Sequence, residues 1–323
     1  MKYYLYNPLS KNKARPEFLD NLDPVTSEVI ETDVFNHKDF VLSLKEEDEI
    51  VLVGGDGTVN YFVNAIDGIE LKNNVYLRTN GHANDFINDI KNYSDEVLLN
   101  PYIKDLPKVE VKELDKYFIN GIGFGLDGYC CLMEDKLKKE NKKVDYKKIG
   151  KRGILKTKPF KATITVDGKT YVHSNVWFAS CMKGRYNGSG MMLTPLQDRT
   201  TNDVSLIVFE AKSKFKALSL FSKIFKNCHL NYENNFIVYT DIVTLTTYNP
   251  NVFEITSHPT DQIGIYGSTV QFSIEAIGAA RYPPDPWCRP EPAAWRRWVL
   301  PLHRPEIPEP PCTPAPAPRF SAP

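Results

Sequence analysis

Ile50-Val51-Leu52-Val53-Gly54-Gly55-Asp56-Gly57-Thr58 reads as a short buried strand running into a glycine turn. The stretch from Val59 to Ile66 is amphipathic at helical spacing, so the turn opens a helix. Strand, glycine turn and helix start together aim backbone N–H groups and the positive end of a helix dipole at one spot, which suits a phosphate. Gly54, Gly55 and Gly57 let the backbone approach a bulky anion closely. Asp56 is out of place beside an anion. A carboxylate there either holds Mg²⁺ or accepts a proton, which points to phosphoryl transfer rather than simple phosphate binding. The bland alternative is a tight strand–helix connection, but Thr58 and Asn60 make this turn more polar than a connection requires.

Outward from this turn, the first hundred residues alternate strand and helix signals. Strands are expected at Tyr3–Tyr6, Ser27–Glu31, Ile50–Val53 and Asn74–Leu77, and helices at 16–22, Lys38–Leu44, Val59–Ile66 and His82–Ile90. Such alternation implies a doubly wound α/β domain with parallel pairing. Ligands in these sheets sit at the carboxyl ends of strands, where Asn7, Gly54 and Gly81 fall.

The pattern changes near residue 95, and 101–278 is expected to be a second, antiparallel β-sandwich domain. Strands are expected at Val97–Asn100, 108–114, Tyr117–Asn120, Lys161–Val166, Lys169–Ser180, Val204–Phe209 and in several runs over 235–275. Asp167-Gly168 is a hairpin signal. Helices are expected at Leu126–Lys139 and Ala217–Phe225, and 136–152 forms a basic segment, either a solvated face or an attraction to anionic headgroups. Residues 279–323 stand apart: from Ala280 onward there are fourteen prolines and no lysine. A stretch so rich in proline cannot build a core, and we read it as a disordered, non-native tail outside the fold.

The formal net charge is zero, so no global basic field favours nucleic acid. The six cysteines form no C-x-x-C pair, which argues against a zinc or redox motif. Free thiols, no signal peptide and no apolar run long enough to span a bilayer lead us to expect a cytoplasmic protein that touches a membrane only peripherally.

Three further clusters carry candidate chemistry. Asn84 and Asp85, in Asn80-Gly81-His82-Ala83-Asn84-Asp85-Phe86, either cap a helix or line the cleft across from Gly54–Thr58. Gly121-Ile122-Gly123-Phe124-Gly125-Leu126-Asp127 leaves one strand face bare, and Asp127 either caps the next helix or meets a polar headgroup. Asn187-Gly188-Ser189-Gly190-Met191-Met192 suggests a loop over an oily cleft. Asp198 and Asp203 beyond it are weak candidates for a structural cation.

These residues resemble the bacterial diacylglycerol kinase and lipid kinase family, related to sphingosine kinases, over roughly 1–278. Asn7-Pro8-Leu9-Ser10 is similar to the family's N-P-x-S opening. Gly54–Thr58 match G-G-D-G-T intact and Asn60 its following Asn, while Gly81-His82-Ala83-Asn84-Asp85-Phe86 resembles G-T-G-N-D-F with two changes. The resemblance implies an ATP-binding α/β domain, a β-sandwich domain, and a cleft between them for the lipid. ATP and Mg²⁺ would lie against Asn7, Ser10, Gly54, Gly55, Gly57, Thr58, Asn60 and Gly81. Asp56 would be catalytic, and Asn84, Asp85 and Asp127 would face the lipid hydroxyl at the membrane surface. A homodimer is left open. The family's late D-G-E signature is absent, since Tyr266 and Ser268 stand where its acids fall. That departure keeps in view a catalytically impaired nucleotide- or lipid-binding paralogue, and the shared G-G-D-G turn keeps in view an NAD kinase-like nucleotide kinase.

Overall fold

The computed structural model describes residues 1–8, 15–32, 35–79, 85–111, 114–140, 142–166, 169–188 and 190–225, with the strands 235–240, 242–247, 253–257, 262–267 and 271–275. The sequence stretch 279–323 and the turn Asp167-Gly168 lie outside them.

The first half follows the expected alternation: β1 (Lys2–Tyr6), a 3₁₀ turn (Glu17–Asn21), β2 (Ser27–Glu31), α1 (His37–Ser43), β3 (Glu49–Gly54), α2 (Asp56–Ala65), β4 (Asn74–Thr79), α3 (Asp85–Ile90), β5 (Val97–Leu98) and α4 (Asn100–Ile103). The strands form one sheet in the order β2-β1-β3-β4-β5. β1 to β4 run parallel and β5 antiparallel to β4. Because the parallel strands are covered on both faces, they read as continuous apolar runs, and Ile50 to Val53 are all buried. α1, α2 and α3 pack Val41, Val59, Phe62 and Phe86 against one sheet face. The expected strand 97–100 is cut short: Pro101 in the first turn favours the one-turn helix α4, and the Asn100 side chain accepts from the Val75 N–H.

The second half is β6 (Lys108–Val111), β7 (Leu114–Tyr117), β8 (Gly121–Gly125), α5 (Leu126–Lys139), α6 (Tyr146–Lys156), β9 (Phe160–Val166), β10 (Lys169–Met182), β11 (Tyr186–Asn187), β12 (Met191–Met192), β13 (Val204–Glu210), α7 (Lys214–Ile224), β14 (Asn235–Thr240), β15 (Ile242–Thr247), β16 (Phe253–Ser257), β17 (Gln262–Gly267) and β18 (Gln271–Glu275). All except the small β11–β12 pair join one eleven-stranded sheet, which folds around Val109, Phe124, Ile164 and Leu206 as a β-sandwich. The pairing is antiparallel except where β17 runs parallel to β8. α5, α6 and α7 cover an outer face by packing Leu126, Ile154 and Phe221 with Trp177 of β10.

Part of the basic segment 136–152 folds as a helix that was not expected there, α6. Asp145 caps it by accepting from the Lys148 N–H, and Ile149, Gly150, Gly153 and Ile154 form its buried face. α7 begins three residues before the expected Ala217, because Ser213 caps it.

Candidate active site

The carboxyl ends of β1, β3 and β4 share one edge of the parallel sheet. Asn7 follows β1 there, and Gly54 ends β3. Gly55 is the N-cap of the ten-residue α2 and supplies no side-chain acceptor, so the positive end of that helix stays open. Gly54 is sterically required. A Cβ on it would lie 2.1 Å from Thr58 Oγ1, so the threonine folds back over the turn.

Asp56, the first residue of α2, is buried, and its carboxylate is held from three directions. Oδ2 accepts from the Asp85 N–H at 2.9 Å and from Asn120 Nδ2 at 3.1 Å, and Oδ1 accepts from the Phe86 N–H at 3.3 Å. Asp56 therefore caps α3 from another element and ties it to the start of the second domain. Asp85, also buried, accepts at Oδ1 from the Gly190 N–H at 2.7 Å. Gly190 can present that N–H because it adopts φ +90°, which side-chain-bearing residues rarely take.

Behind these acids lies a buried ion cluster. Asp89 Oδ2 accepts from Arg199 Nε at 2.8 Å and Oδ1 from Arg185 Nε at 2.6 Å. Arg199 also donates to the Ile119 carbonyl and to Asn120 Oδ1, and it stacks 4.5 Å over the Phe86 ring. By occupying Asn120 Oδ1, Arg199 fixes the amide so that Nδ2 faces Asp56. Gly184 makes room, since a Cβ there would strike Arg199 Nη2 at 2.2 Å. Beside the cluster Lys183 is 2% exposed, and burial, reinforced by Arg199, lowers its pKa to about 8. Its ammonium donates to the Thr201 carbonyl.

Asp127 sits apart, at the start of α5. Oδ2 accepts from Ser180 Oγ at 2.8 Å and from Asn187 Nδ2 at 3.2 Å, while burial holds its carboxyl above the usual carboxylate range. The bare strand face expected at 121–125 is used here: a Cβ on Gly123 would overlap Asp127 Oδ2 at 1.7 Å. Asp127 borders a cavity of about 20 Å³, one water in size, walled by Leu126, Phe178, Met191, Leu193 and Phe221. The Asn187 amide oxygen on its wall is buried, 3% exposed, and has no hydrogen-bond partner among the described residues.

Of the remaining candidates, Asn60 accepts from the Ile119 N–H and so serves the domain junction. Asp198 turns onto its own loop, taking the Thr200 N–H and hydroxyl. Asp203 contributes its carbonyl to Gln197. No group of three or more His, Cys, Asp or Glu side chains placed to hold a metal ion occurs among the described residues. Ser10, Gly81, Asn84 and Ser268 lie outside the described residues, and for Tyr266 only its place in β17 is described.

Comparison with known proteins assigns both halves. Residues 3–106 match the family model described as diacylglycerol kinase catalytic domain. Residues 120–256 match the one described as YegS C-terminal NAD kinase beta sandwich-like domain. The chain belongs to the bacterial diacylglycerol kinase and lipid kinase family. Within this lipid kinase family it is 25% identical over 182 residues to YtlR of Bacillus subtilis, provisionally named a lipid kinase, covering 50% of this chain and 58% of that protein. It is 19% identical over 196 residues to the diacylglycerol kinase of Mycobacterium tuberculosis, covering 58% of this chain and 63% of that protein. The chain thus spans about three fifths of the length of the curated relatives it matches. A Bacillus anthracis structure provisionally titled a diacylglycerol kinase shares the fold at TM-score 0.61 and 17% identity, over 84% of this chain and 91% of that one.

The sequence alone assigns no role to Asp89, Asn120, Lys183, Arg185 or Arg199. One signal was available. Before residue 280 the chain has 29 lysines and only five arginines, of which Arg185 and Arg199 are two. Arginine in a lysine-rich chain marks a place where forked, bidentate geometry is needed.

Proposed function

We propose that the chain is an ATP-dependent lipid kinase that transfers the γ-phosphoryl group to the hydroxyl of diacylglycerol or a similar lipid, working in the cytoplasm at the membrane surface. The observation that carries this reading is the buried Asp56 at the open α2 N-terminus, bonded to both α3 and the second domain. In this reading the nucleotide phosphates lie along Gly54, Gly55, Gly57 and Thr58, with Asn7, Ser10, Asn60 and Gly81 around them. The α2 dipole and its first-turn N–H groups fit an anion. Mg²⁺ would neutralise charge on the phosphates, held by one or two carboxylates together with phosphate oxygens, as this ion commonly is.

Asp56 and Asp85 then supply the fixed negative groups beside the acceptor hydroxyl, one of them taking its proton as the new P–O bond forms and the bond from the γ-phosphorus to the departing ADP oxygen breaks. Their orientation is set by the Asp85, Phe86, Asn120 and Gly190 donors rather than by solvent. Asn84 would complete this side. Asp127 and the Asn187 oxygen, which has no partner among the described residues, form a polar spot in an apolar wall, suited to a donor group on the substrate other than the acceptor hydroxyl.

One observation favours a second reading, an impaired nucleotide- or lipid-binding paralogue: Tyr266 and Ser268 stand where the family carries acids. The test is incubation of the purified full chain with labelled Mg-ATP and a panel of lipid alcohols. Labelled phospholipid supports the kinase. Thermal stabilisation by Mg-ATP with no labelled product from any lipid supports the paralogue. Labelled NADP from NAD would replace both.

A further inference from the structure

The second domain carries a charge asymmetry that the zero net charge conceals. Residues 146–158 and 211–225 together hold ten lysine and arginine side chains and not one carboxylate. Nine of the ten are exposed. These segments are α6 and α7 with their flanks, which lie side by side as an antiparallel pair. Lys147 at the start of α6 sits over the Phe225 ring beyond the end of α7, and Lys214 at the start of α7 donates to the Leu155 carbonyl near the end of α6. Gly150 allows the close approach of Phe221.

The same contacts bring two large apolar side chains to the outside. Leu155 is 56% exposed and Phe215 is 86% exposed, and both sit among Lys151, Arg152, Lys156, Lys214 and Lys216. The inner faces of the pair are committed, since Tyr146 and Phe221 wall the cavity beside Asp127. Apolar side chains surrounded by cations are suited to a lipid–water interface, where the apolar groups enter the acyl boundary and the cations meet phosphate.

We propose that the outer face of α6 and α7 docks the protein on a bilayer rich in anionic lipid. The partner is the bilayer surface itself, chosen by charge complementarity and by the exposed apolar pair. Docking there sets the membrane against the same two helices that wall the Asp127 cavity. This deepens the lipid kinase reading by naming the surface through which the protein reaches its lipid, yet it is tested without nucleotide.

The experiment is vesicle flotation of the full chain with phosphatidylcholine alone and with phosphatidylcholine mixed with phosphatidylglycerol. Binding is expected only to the mixed vesicles and should weaken as salt is raised. Lys151→Glu, Arg152→Glu and Lys216→Glu combined should lower partitioning at least about tenfold. Phe215→Ser should lower it several-fold, with unchanged circular dichroism and melting temperature in both variants. Equal binding to neutral vesicles, wild-type binding by the charge variant, or binding to a single-stranded oligonucleotide but to no vesicle would overturn the proposal. Turnover of a short-chain lipid alcohol in neutral detergent should be the same for the charge variant and the wild type. No turnover by either would count against the kinase reading while leaving the vesicle result standing.

Discussion

Three donors converge on the Asp56 carboxylate, so a substitution there has two separable consequences. Asp56→Asn keeps the size but turns an acceptor into a donor facing the Asp85 and Phe86 N–H groups. It should cost about 1–3 kcal/mol of stability in a denaturant titration, because buried donors lose their acceptor. If Asp56 acts in transfer, turnover should also fall at least about 100-fold in the lipid-panel assay. Lys183 offers a pH experiment. Its pKa is about 8 in the folded chain against an ordinary 10.5, so between these values the unfolded chain binds more protons. Stability should therefore rise with pH across that window. The gain of wild type relative to Lys183→Met over the same window should be about 1–3 kcal/mol, read by thermal melts at matched ionic strength.

At the level of elements, α6 shows why part of the second domain was hidden in its sequence. Its buried face contains only two large apolar residues, Ile149 and Ile154, and the other two inward positions are glycines. Glycine is a poor helix former, so the helical period is faint in this basic segment. Here each glycine answers a steric need: a Cβ on Gly150 would meet Phe221 Cζ at 2.1 Å, and one on Gly153 would meet Leu126 Cδ1 at 2.4 Å. Gly150→Ala should accordingly destabilise the protein by about 1–3 kcal/mol despite alanine's better helix propensity, and Phe221→Leu should recover part of the loss in a double-mutant cycle. The parallel strands were legible because burial on both faces writes them as unbroken apolar runs. The glycine turn was legible because Gly54, Gly55, Asp56, Gly57 and Thr58 are consecutive. The partners of Asp56 were not: Asn120 lies 64 residues away and the Arg199–Asp89 pair spans 110, and no local pattern records such distances.

For the whole molecule, the Asp89 cluster is the main polar joint between the domains, with Asn60 and Asn64 of α2 bonded to the Ile119 and Tyr117 backbone beside it. Asp89→Ala would take the shared carboxylate from the buried Arg199 and the partly buried Arg185, at a cost of about 3–5 kcal/mol. Calorimetry should show one transition for the wild type and two for this variant, with the parallel-sheet domain melting apart from the sandwich. A single transition displaced to lower temperature would mean that the apolar junction alone couples the halves.

The pairing of β6 with β18 and of β8 with β17 has a temporal meaning. Every strand of the first sheet has been synthesised once Leu98 is made, so that half can close while the chain is still growing. The second sheet cannot. Strands at residues 108–111 and 121–125 wait, with open edges, for partners near residues 271–275 and 262–265. Such distant pairings are slow to form, and unpaired edges invite association with other chains. The glycine-rich strand beside Asp127 is therefore the segment most exposed to misassembly during synthesis, and the end of the sandwich governs when it becomes safe.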